Sequence, residues 1–90
     1  MIDEKLKEKF LTTLRKEIPA EDGTIKLHME VSEYIKDRED TVGNMNHLID
    51  NLQAALKEFK GDNVNCSITP GYGSAEGING IVFEATVACN

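Results

Sequence analysis

The chain has 90 residues, 10 Lys+Arg against 16 Asp+Glu, a formal net charge of −6, two Cys, two His and no Trp. That length allows one domain, and one of this size buries only about 60% of its unfolded surface. The acidic balance argues against direct binding of nucleic acid or of an anionic membrane, neither of which attracts a net anion. No apolar run approaches a membrane span, and the Lys/Glu-rich start lacks the apolar centre of a signal peptide, so the expected setting is soluble and cytoplasmic.

All ten basic residues precede Gly61, and residues 61–90 carry only Asp62, Glu76 and Glu84 as charges. The spacing of Ile2, Leu6, Phe10, Leu11, Leu14 and Ile18 predicts an amphipathic helix over 3–18, capped by Asp3 and stopped by Pro19. After a turn at Glu21-Asp22-Gly23, Ile25, Leu27, Met29 and Val31 alternate with Lys26, His28, Glu30 and Ser32, a strand with one buried face. The charged run 36–40 is a solvated loop. A second helix follows over 41–60, started by Asp40 or Thr41 and ended by Gly61. Its seam reads Val42, Met45, Ile49, Leu52, Leu56 and Phe59, broadened by Leu48 and Ala55.

Residues 63–69 alternate again, with Val64, Cys66 and Ile68 inward. In the strand Ile81–Cys89, the residues Ile81, Phe83, Ala85, Val87 and Cys89 point inward. Between them, 70–80 holds four of the seven glycines and the hairpin dipeptide Asn79-Gly80, and is expected to be a Gly-rich loop or a projecting β-arm. The order is α-β-α-β-β in one small α+β domain spanning 1–90. A strand–helix–strand crossover makes the first two strands parallel, and the most apolar strand, the third, takes the centre of a sheet ordered 1-3-2. Both helices then cover one face, leaving the other polar and uncovered.

Chemistry is thinly represented. His28, His47, Cys66 and Cys89 lie about twenty residues apart with no paired ligand spacing, so no metal site and no cofactor are expected. Both cysteines fall on inward faces. With a hairpin closing at 69/81, Cys66 would sit opposite the mid-eighties, so the two thiols are expected to be reduced and unpaired, as suits a cytosolic protein. The glycines precede a strand, lack a nearby cation and have Glu76 beside them, which is a poor phosphate cradle. The chain therefore reads as a non-enzymatic protein-interaction module, dimeric, of the inhibitor, immunity or adaptor kind. Its partner is another protein, which could present a basic nucleic-acid-binding surface. The expected contacts are Tyr72, Glu76 and Ile78 on the arm and His28 and Glu30 on the uncovered face. The competing reading is a small-ligand or nucleotide binder, with the ligand held between subunits near the Gly-rich segment.

Overall fold

A three-stranded sheet of order β1-β3-β2 carries two helices on one side. A computed structural model describes residues 2–74 and 80–89 of the chain. In chain order they form α1 (Glu4–Lys16), β1 (Ile25–Glu30), a 3-10 turn (Ser32–Tyr34), α2 (Thr41–Lys60), β2 (Cys66–Ser74) and β3 (Ile81–Cys89). Both outer strands run antiparallel to β3, as the crossover and hairpin connections require.

The Asp3 carboxylate caps α1 by accepting from the backbone N–H groups of Lys5 and Leu6. The helix stops at Lys16, two residues short of expectation. Glu17 is already extended, Pro19 disfavours a helical Ile18, and Ile18 is left 89% exposed. Asp40 caps α2 by accepting from Gly43 N–H. A side chain at Gly43 would overlap that carboxylate, so the glycine is what allows the cap. Gly61, at φ +96°, ends the helix in a conformation other residues rarely adopt.

The core joins Leu6, Phe10, Leu11 and Leu14 of α1 to Leu48, Leu52, Ala55 and Leu56 of α2 and to the inward rows of β1 and β3. Phe10 and Phe83 meet edge to face, centroids 5.8 Å apart, which fixes α1 over the central strand. The predicted α2 seam is rotated: Val42 is 72% exposed, while Asn44 and Asn51 turn inward. Both amides are committed there. Asn51 accepts from Asp3 N–H at 2.8 Å and donates to His47 O at 2.8 Å, tying the start of α1 to α2. Asn44 donates to Asp37 O and to the Tyr72 hydroxyl. Among the described residues no buried side-chain polar atom lacks a partner.

The C-terminal hairpin departs most from expectation. Its register pairs Ser74 with Ile81, five residues beyond the predicted closure, so Pro70–Ser74 belong to β2 rather than to an arm. Cys66 then lies opposite Cys89, with Cα atoms 4.0 Å apart, and the two form a disulfide. The expectation of unpaired thiols is overturned, because it rested on the shorter strand. The cysteines hence no longer argue for a reducing compartment. The turn dipeptide's Asn79 and the arm residues Glu76 and Ile78 lie outside the described residues. No helix among the described residues is long and apolar enough to cross a membrane.

Candidate functional site

The side of the sheet away from the helices is the one extended surface that no other element covers among the described residues. Alternation along the strands dictates its content. When Ile25, Leu27 and Met29 face the helices, Lys26, His28 and Glu30 must face out, and β1 shows that strict buried–exposed pattern. On β3 the outward row is Val82, Glu84, Thr86 and Ala88. On β2 it is Ser67, Thr69, Gly71 and Gly73, each opposite a member of the β3 row.

Two cross-strand rows define the middle of this face. In the first, His28 lies opposite Glu84, which lies opposite Gly71; in the second, Lys26 lies opposite Thr86, which lies opposite Thr69. His28 Nδ1 stands 2.9 Å from Glu84 Oε1, so the carboxylate orients the imidazole and leaves Nε2 for another group. The pair is 71% and 64% exposed, which limits it to the small energies of surface ion pairs. Because Gly71 has no side chain, the row falls away beyond Glu84 and a shallow cleft of about 420 Å³ opens, bordered by His28, Thr69, Glu84 and Thr86. A Cβ on Gly71 would make only ordinary contacts at 3.9–4.0 Å, so packing does not demand the glycine.

Glu30, at the end of the β1 row, accepts from Ser32 N–H at 2.7 Å. Hydrogen bonding from Ser32 holds the carboxyl below its ordinary 4.5 and hence ionised. The face therefore offers a fixed imidazole, two carboxylates, one ammonium and two threonine hydroxyls over a floor of short side chains. That set can hydrogen-bond and ion-pair with a surface laid across it. Among the described residues no cluster of three or more His, Cys, Asp or Glu side chains is placed to hold a metal.

The structure brings some of the sequence-derived contacts together and separates others. His28 and Glu30 are exposed on this face. Tyr72 is on the opposite side, opposite Phe83 and packed against the core, with its hydroxyl accepting from Asn44 Nδ2 at 3.0 Å. Glu84, Thr69 and Thr86 complete the face, and sequence reasoning placed them there without giving them a role. The signal was available in the register, which sets Glu84 directly across from His28. No protein-family model matches the chain, and no curated protein or solved structure compared with it is similar to it.

Proposed function

We propose that the protein is a small interaction module that binds another protein through the uncovered face of its sheet. The observation that carries this reading is the one-sided covering of the sheet. A polar face of short side chains that carries His28, Glu30 and Glu84 lies accessible, while both helices pack on the core. A face with two carboxylates to one lysine, on a chain of net charge −6, complements a basic partner surface and steers its approach. Inhibition or adaptor action follows from covering such a surface, with no covalent step. The interaction itself needs no particular compartment, and the Cys66–Cys89 disulfide favours an oxidising one over the expected cytoplasm.

The test compares three immobilised baits in extracts of the native host: wild type, Thr86→Arg at the middle of the face, and Val42→Ser on the far surface of α2. Proteins captured by wild type and Val42→Ser but lost with Thr86→Arg are the expected result. Identical capture by all three baits, with melting temperatures unchanged, would remove the face from consideration.

A further inference from the structure

The two edges of the sheet are not equivalent. Val31 N–H donates to Ile81 O, which sets the phase of the antiparallel ladder. Along β3 the odd residues turn their backbone groups toward β1, and the even residues turn theirs toward β2. On β2 the groups at Pro70, opposite Ala85, consequently point to the outer edge. A proline there has no N–H to offer, so this edge cannot present a continuous ladder.

The outer edge of β1 differs. By the same alternation it presents the N–H and C=O groups of Lys26, His28 and Glu30, and Lys9 Nζ reaching Glu30 O at 2.6 Å shows that these groups point outward. β1 contains no proline, glycine or bulge, and it ends the sheet among the described residues. The run made of β1 and the residue after it, Ile25-Lys26-Leu27-His28-Met29-Glu30-Val31, is also a chemical palindrome about His28. Aliphatic residues occupy both sides at odd distances, and a cation at 26 mirrors an anion at 30.

We propose that β1 pairs antiparallel with β1 of a second copy of this chain, about a two-fold axis through His28, to give one six-stranded sheet. This register sets Lys26 opposite Glu30 of the second copy, twice, on the same sheet face, where opposite charges stabilise and like charges destabilise. Leu27 then meets Met29 of the second copy on the helix-covered side. A shift by one residue would set inward rows against outward rows. Moving the axis to residue 27 or 29 leaves the strand ends unpaired and sets a lysine or glutamate against the imidazole. Glu30 O retains a second lone pair beside its bond to Lys9. An axis normal to the sheet keeps all four helices on one side, so the two uncovered faces become one continuous surface with His28 at its centre. The inference does not depend on what binds that face, because it concerns the edge and is read by mass alone.

The interface is short and belongs with weak assemblies, so the full chain is measured by sedimentation at concentrations up to about 500 µM. Wild type is expected to approach twice the chain mass. Lys26→Glu, which sets two glutamates against each other at both ends, is expected to be monomeric throughout, as is Glu30→Lys. An equimolar mixture of these two variants restores opposite charges at every position and is expected to regain the dimer, as is the double variant K26E/E30K. His28→Pro, which removes the central outward N–H, is expected to abolish association. Circular dichroism confirms that each variant is folded, and the mixture provides the readout should the double variant not fold. A monomeric wild type at the highest concentration overturns the proposal. So does a dimer that survives Lys26→Glu, or a mixture of the two single variants that stays monomeric.

Discussion

Removing the Cys66–Cys89 bond tests the most consequential feature of the hairpin. The cysteines are separated by 23 positions and join the far end of β2 to the end of β3. In the chain-entropy account a cross-link closing a loop of that length disfavours the unfolded ensemble by about 3.4 kcal/mol at 25 °C. Both side chains are half-buried at the margin of the core, so replacing them with alanine subtracts little packing. A chain of this length is stable by about 5–13 kcal/mol in total, which makes the bond a quarter or more of the margin. Cys66→Ala with Cys89→Ala should therefore lower the unfolding free energy in urea by about 3 kcal/mol and the melting temperature by about 15–25 °C. Wild type in a strong reductant should follow the variant. A stability difference below about 1 kcal/mol would refute the entropic reasoning. Two titratable thiols in the unreduced, denatured protein would refute the pairing itself.

Three further outcomes are expected. Asn51→Leu keeps the number and branching of side-chain heavy atoms but removes the acceptor of Asp3 N–H and the donor to His47 O. At about 1 kcal/mol per hydrogen bond it should cost about 2 kcal/mol in urea unfolding, and a cost below about 0.5 kcal/mol would show that the amide is replaceable. Tyr72→Phe, losing only the bond from Asn44, should cost about 1 kcal/mol, whereas a surface anchor with no inward role would show no change. The pH profile of stability should fall at both extremes. Hydrogen bonds from Thr24 and from Ser32 hold Asp22 and Glu30 below their ordinary 3.8 and 4.5, so their contributions are present above those values and are lost as the pH falls through the lowered ones. Lys7 is held above 10.5, chiefly by its hydrogen bond to Glu58, and Tyr34 above 10.0, chiefly by burial. Their contributions are present below those values and are lost as the pH rises beyond them. A melting temperature that kept rising beyond pH 10 would contradict these assignments.

Much of the fold is written in periodicity. The strict alternation from Ile25 to Val31 and from Ile81 to Cys89 set both strands and their buried faces, and the connections set the order β1-β3-β2. Asp3, Asp40 and Gly61 marked helix ends by chemistry that needs no partner. The rotated seam of α2 was not legible, because the burial of Asn44 and Asn51 depends on acceptors and donors that arrive from Asp3, Asp37 and Tyr72. The hairpin register, by contrast, could have been read. Residues directly opposite each other share a face, and the inward residues are even on β2 and odd on β3, so 69 cannot face 81. Pairing the two inward cysteines selects the register with Ser74 opposite Ile81, which is the one observed.

That register explains why the two sides and two edges of the sheet differ. Extending β2 to Ser74 places Pro70 where its missing N–H points outward, so the strand can contain a proline without losing a bond to β3. The same step puts Gly71 opposite Glu84, and the cleft beside the His28–Glu84 pair opens where a side chain would otherwise stand. It also puts Tyr72 opposite Phe83, pointing inward, which removes the aromatic from the surface and gives Asn44 a hydrogen-bond partner. A shift of two residues would keep the same rows inward and outward but would separate the cysteines, so faces alone do not choose among these arrangements. The disulfide does choose. It follows that reducing the bond should loosen the Gly71 end of the cleft before it disturbs the β1 edge, which is held by α1 and β3. Amide exchange should accelerate in all three strands, as a global loss of about 3 kcal/mol requires, but more in β2 than between β1 and β3, and equal acceleration everywhere would show that the disulfide acts on the unfolded chain alone without selecting the register.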